Sequence, residues 1–209
     1  MSVKKPTLVL HFDINKTIII CDPVKGVGCD AMLNSLLSEV SWGTWDKEVP
    51  YEDAVGKLKA AGTWKFKVGP TVEKQESMLT FAEFLEDVLK MEKQDMLKLK
   101  TTFTEAGHPG ESIRSSYLDL QSKLKLPEGT SLPGIPSHVG EGRHFVLPSF
   151  FRLILKLEED KRDFRIVFRT FGIDIADVVS EFNLFCNGEH PCFPEVPPAI
   201  KRRRISLPA

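Results

Sequence analysis

The stretch "LVLHFDINKTIII", residues 8–20, decides how this chain is read. Its apolar run, broken only by His11, stops at Asp13. Together with Pro6 and Thr7 it has the composition of a buried β-strand. Asn15 and Thr17 follow at two-residue steps. An acid at the carboxyl end of a strand has two common uses. It can stop the strand and bond the local turn, as Asn and Thr also do. In an open parallel sheet it can instead face a ligand, because ligands sit beyond the carboxyl ends of the strands.

A second stretch ends in the same way. "FRIVFRT", residues 164–170, is a short apolar strand candidate closing on Arg169 and Thr170. "DIADVVSEFNLFC", residues 174–186, follows with helical spacing and Asp174 near its start. Before it lies "LPSFFRLILKLEEDKRD", a helix with Pro148 in its first turn. The order is strand, long helical insertion, helix, strand, helix. That order begins a parallel α/β unit. If the two strands are neighbours, Asp13 and Thr170 face one crevice. Residues 171–174, including Phe171 and Gly172, would then open a helix whose N–H groups suit a phosphate.

The insertion is richer in helices than in strands. "CDAMLNSLLSEV", residues 29–40, repeats apolar residues at helical intervals with Asp30 as its expected N-cap. "TWKFKV", residues 63–68, alternates and predicts one arm of a hairpin. "TFAEFLEDVLKMEKQDMLKLKTTF", residues 80–103, predicts a helix or helix pair. Thr80 and Glu83 form its capping box, and Phe81, Phe84, Leu85, Val88 and Leu89 form an apolar stripe read as core. "GESIRSSYLDLQSKLK" is a further helix, and the Pro/Gly-rich residues 126–142 read as loop. Trp42, Trp45 and Trp64 are read as packing residues, and His11 as a strand side chain.

The 209 residues carry 42% hydrophobic and 27% charged residues with a net charge of −1, ordinary for a globular protein. Four positive charges and no acid fall in "PAIKRRRISLPA", residues 198–209, which leaves −5 for the rest (−1 minus +4). Only this tail looks basic, so no nucleic-acid partner is expected. "KRRR", Lys201–Arg204, fits a short nuclear-localisation cluster, and Ser206 follows it as a basophilic kinase site would. The simpler expectation for residues 200–209 is a disordered tail. No apolar run reaches membrane-spanning length and no signal peptide precedes the first strand, so the expected compartment is the cytoplasm. Cys21, Cys29, Cys186 and Cys192 show no C-x-x-C spacing and are read as reduced thiols. Cys186, His190 and Cys192 lie within seven residues, but no fourth zinc ligand is evident among their neighbours.

The paired strand ends resemble the haloacid dehalogenase superfamily of phosphohydrolases. "DINKT" resembles its first motif, an Asp-x-Asp-x-Thr after an apolar strand, at Asp13 and Thr17. "RIVFRT" resembles its second motif at Thr170. The resemblance covers roughly residues 6–24 and 143–186. It implies a partial Rossmann-like core (1–24 and 143–199), a large, mostly helical cap inserted after the first strand (25–142), and a tail (200–209). It further implies an aspartyl nucleophile at Asp13. Mg²⁺ would be held by Asp13 and the Asn15 carbonyl, and the phosphoryl group by Thr17, Thr170, Phe171 and Gly172. The substrate would be a small phosphorylated molecule or a phosphoprotein.

Asn15 departs from the motif. It stands where the family carries its proton-transfer acid, and an amide exchanges no proton in that role. No later strand ending in paired acids follows Thr170. Weakened or absent turnover is therefore expected. The alternative is an inactive interaction or regulatory protein, or a truncated form of a longer hydrolase. An unfinished sheet would also invite self-association.

Overall fold

The computed structural model describes residues 6–21, 26–70, 76–135, 142–170 and 173–207. In chain order its main elements are β1 (Leu8–Asp13), α1 (Cys29–Val40), β2 (Trp42–Thr44), α2 (Ala54–Gly62), β3 (Lys65–Val68), β4 (Leu79–Thr80), α3 (Phe81–Glu83), α4 (Lys93–Thr101), α5 (Arg114–Lys123), α6 (Pro148–Glu159), β5 (Phe164–Arg169), α7 (Ile175–Asn187) and α8 (Pro198–Lys201). The chain is mixed α/β and divides into two units. One joins Met1–Cys29 to Leu124–Ala209; the other is Asp30–Lys123. The second unit is shorter than the inserted segment 25–142 read from sequence. Leu126 and Leu132 pack into the core of the first unit.

In the first unit β1 and β5 pair in parallel, from Leu8 opposite Phe164 to Asp13 opposite Arg169. The strands are not buried on both faces. Exposure alternates along each, so Val9, His11 and Asp13 lie on an exposed face with Arg165, Val167 and Arg169. The other face carries Leu8, Leu10 and Phe12, of which Leu8 and Phe12 pack against a core of Ile14, Ile19, Phe145, Val146, Phe151, Ile154, Phe182 and Phe185. α6 supplies Phe150, Phe151 and Ile154 to this core, and its proline starts the helix where an N–H would lack a partner. α7 supplies Val178, Phe182 and Phe185 at helical intervals. It stops at Gly188, whose φ of 77° is the left-handed closure that favours glycine.

The second unit carries its own three-stranded antiparallel sheet in the order β3-β2-β4. The predicted hairpin arm is β3. Its neighbour β2 needs Gly43, because a Cβ there would stand 2.4 Å from the Lys65 carbonyl oxygen and 2.5 Å from the Trp64 ring. The capping box at Thr80 and Glu83 is formed: Thr80 Oγ1 accepts from the Glu83 N–H, and Glu83 accepts from the Thr80 N–H. The helix it opens does not run on to residue 103. One π-type turn, Phe84–Val88, follows α3, Lys90 adopts a φ of 47°, and the chain restarts as α4. The aromatic stripe is core, as Phe81, Phe84 and Leu85 are fully buried. Phe81 and Phe103 stack at 5.0 Å, with Trp64 edge-on to both. Asp30 lies inside the first turn of α1 rather than capping it from outside.

After α8 the described part of the basic tail makes specific contacts with the first unit. Asn183 grips Ile205 by two bonds, its Nδ2 donating to the Ile205 carbonyl and its Oδ1 accepting the Ile205 N–H, each at 2.9 Å. Among the described residues no helix is long and apolar enough to cross a membrane.

Candidate functional site

The carboxyl ends of β1 and β5 lie side by side, as a site between them requires. The chain leaves β1 through one tight turn. The Ile14 carbonyl accepts from the N–H groups of Thr17, Ile18 and Ile19 at 3.3, 3.0 and 3.2 Å. Lys16 takes the left-handed conformation in that turn, with a φ of 61°. Two anchors hold it. The Ile14 N–H donates to the Arg169 carbonyl at 3.0 Å, and the Leu147 N–H donates to the Ile18 carbonyl at 2.8 Å. Ile14, Ile18 and Ile19 point into the core while Asp13, Lys16 and Thr17 remain exposed. The apolar residues of "INKTII" thus fix the turn, and its polar residues face outward.

Four of the six predicted site residues, Asp13, Asn15, Thr17 and Thr170, lie among the described residues. Asp13 is exposed at the last position of β1. Its register partner is Arg169, on the same exposed face. Thr170 is the next residue, half-buried, just beyond β5. Asn15 is half-buried, forms a bridge with Ile19, and keeps a buried Oδ1 without a hydrogen-bond partner. Phe171 and Gly172 lie outside the described residues. Asp174, at the head of α7, is 2% exposed with a buried, unpartnered Oδ2. Arg169 was not singled out by sequence reasoning. Its signal was the alternation of "FRIVFR", which places it on the same face as Arg165.

The single cluster of three or more metal-capable side chains among the described residues does not include Asp13. One carboxylate is a thin donor set for a hard cation that prefers several oxygens.

That cluster consists of His144, Glu181 and His190, whose ligand atoms lie within 4.8 Å of one another. Glu181 sits in the middle of α7. Its Oε1 is 3.2 Å from His190 Nε2, and its Oε2 accepts the Val146 N–H at 2.9 Å. His190 stands in the turn after α7, where its Nδ1 accepts the Cys192 N–H at 3.1 Å. Nδ1 therefore carries a lone pair in a neutral ring, and the proton is on Nε2, facing Glu181. Cys192 Sγ lies 3.9 Å from His144 Nε2. Burial pushes the Glu181 carboxyl up, against the hydrogen bonds from His190 and Val146 that favour its charged form. Burial, with His190 and Arg152 nearby, lowers His144 to about 4. Cys192 is pushed up by burial and by Glu181. Cys186, the third member of the sequence cluster, is buried instead in the core, and burial raises its thiol to about 12.

Comparisons with protein-family models, with curated proteins and with solved structures find no match to this chain.

Proposed function

We propose that the exposed end of the β1–β5 ladder recognises a phosphoryl group, with Asp13 placed to meet phosphorus as nucleophile. The observation that carries this reading is the parallel register. It sets a carboxylate, a guanidinium and a hydroxyl (Asp13, Arg169, Thr170) at consecutive points on two adjacent strand ends. Arg169 supplies charge for a phosphoryl oxygen, and its fork suits bidentate contact. Thr170 supplies a hydroxyl donor. The tight turn after Asp13 fixes the nucleophile's position, which is what phosphoryl transfer chiefly asks of a protein.

Attack by the Asp13 carboxylate would form an acyl phosphate at its side chain and release the alcohol or acid of the substrate. Hydrolysis of that intermediate then needs a base for water. Asn15 occupies the position of that base and cannot serve as one. General acid–base help is worth about 10²–10⁴-fold, so the second half-reaction is the slow one. Substrates with good leaving groups, such as acyl or aryl phosphates, suit the site best.

A second reading rests on one specific observation. The Asn15 amide is half-buried, with a partnerless Oδ1, rather than presented beside Asp13 as a proton carrier. This favours a phosphate-responsive binding protein without turnover.

The test uses aryl and acetyl phosphate with and without Mg²⁺, on wild type, Asp13→Asn and Asn15→Asp. The expected result is phosphorylated wild-type protein, no labelling of Asp13→Asn, and faster turnover in Asn15→Asp. Equal behaviour of wild type and Asp13→Asn would remove the nucleophile. Phosphate-dependent stabilisation without labelling in any variant would select the binding reading.

A further inference from the structure

The residues "CNGEHPC", 186–192, look one ligand short in sequence, and folding changes the set. Cys186 turns into the core, while α7 and the segment before α6 bring Glu181 and His144 to His190 and Cys192. We propose that His144, Glu181, His190 and Cys192 form a closed, four-ligand zinc site of structural type.

The spacing supports this. Two ligands on a tetrahedral zinc, at about 2.0–2.3 Å from the metal, stand about 3.3–3.6 Å apart. Glu181 Oε1 and His190 Nε2 are already 3.2 Å apart, and Cys192 Sγ and His144 Nε2 are 3.9 Å apart. These two edges need shifts of a few tenths of an ångström; across the cluster the ligand atoms of His144, Glu181 and His190 lie within 4.8 Å of one another and close by up to about an ångström, and the Cys192 thiol, outside that group, turns further inward. The donors are nitrogen, sulfur and one carboxylate oxygen, a zinc set rather than a magnesium or calcium set. Charge closes as well. A divalent ion with one carboxylate, one thiolate and two neutral imidazoles sums to zero, which suits a place walled by Phe151 and Phe193, both within about 5 Å of the His190 ring.

The proton on His190 Nε2 occupies the direction the ion would take. When zinc enters, that proton moves to Nδ1, the Cys192 N–H releases Nδ1 as Sγ turns inward, and the thiol proton leaves to solvent. Four zinc–ligand bonds form as the ion sheds its waters, the Glu181–His190 hydrogen bond is given up, and nothing is oxidised or reduced. Bound zinc would tie the middle of α7 to the turn that follows it and to residues 144–146.

The test measures zinc content of the full chain purified without chelator, together with the absorption of the cobalt-loaded protein. The expected result is one zinc per chain and, with cobalt, a tetrahedral spectrum bearing a thiolate charge-transfer band. Cys192→Ser should abolish that band. Both it and His144→Ala should lower zinc affinity at least about a hundredfold, beyond the 10–100-fold typical of outer-shell partners. Cys186→Ala should keep both band and zinc. Thermal unfolding checks each variant for folding, and a chelator should lower the wild-type midpoint but not that of His144→Ala. A folded wild type that retains no zinc and shows no cobalt band would overturn the site. A charge-transfer band that survives in Cys192→Ser would overturn the thiolate assignment.

Discussion

Arg203 lays its guanidinium 3.7 Å over the ring of Phe164 and donates to the carbonyl of the same residue at 3.0 Å. A third contact runs to Glu158 at 3.3 Å. One side chain of a basic run is thus built onto the first residue of β5. The ion pair is partly solvated and adds little. The stacked, hydrogen-bonded core of the contact matters more. Arg203→Ala should destabilise the first unit by about 1–3 kcal/mol. Arg203→Lys should recover the charge but not the planar stacking. Urea unfolding followed by a probe in α6 or α7 reads the difference.

Ser206 follows the same anchored run. A basophilic kinase needs the residues before its target extended and accessible, but both main-chain groups of Ile205 are bonded to Asn183. Asn183→Ala should therefore raise the initial rate of Ser206 phosphorylation by such a kinase. At least about fivefold is expected, the factor that one net hydrogen bond of about 1 kcal/mol supplies. An unchanged rate would mean that the segment is already open in solution.

In the second unit, Asn34 of α1 accepts both the N–H and the hydroxyl of Thr104, at 3.0 and 2.7 Å, in a fully buried setting. Asn34→Ala would strand two donors. A loss of about 2–3 kcal/mol is expected on denaturant unfolding of this unit. Thr104→Val removes only the hydroxyl and should lose less.

Two glycines of that unit should respond in opposite directions. Gly43→Ala forces a Cβ against the Lys65 carbonyl and the Trp64 ring, and should destabilise by about 1–3 kcal/mol. Gly62→Ala, at the end of α2, meets nothing within 4 Å and should be neutral or stabilising by up to about 1 kcal/mol. Paired thermal melts distinguish them.

Local signals in the sequence were reliable where local physics decides. The capping box at Thr80 needs only four residues, and the proline at the start of α6 needs one; both stand as read. The β1 and β5 strands were legible as apolar runs, but their one-sided exposure was not. Burial of a strand face depends on what packs over it, and the alternation of His11, Asp13, Arg165 and Arg169 was masked by valines between them. The π-type turn at Phe84–Val88 and the left-handed Lys90 after it are not announced by helical periodicity. The His144–Glu181–His190 cluster was invisible for another reason. Its members are separated by 37 and 9 residues, and only the fold brings them together. Composition counts the tail's charges and does not show that Arg203 has a ring to lie on.

The first strand completes its ladder only with residues 156 positions later, from Leu8 to Phe164. At about 5–20 residues per second of synthesis, β1 waits roughly 8–30 seconds for its partner. The second unit, Asp30–Lys123, has all its own sheet neighbours long before that. Birth order on the ribosome is therefore inverted with respect to chain order: the middle can settle first, and the beginning last. Until β5 emerges, the inward face of β1, with Leu8, Leu10 and Phe12, has no neighbouring strand to complete its ladder.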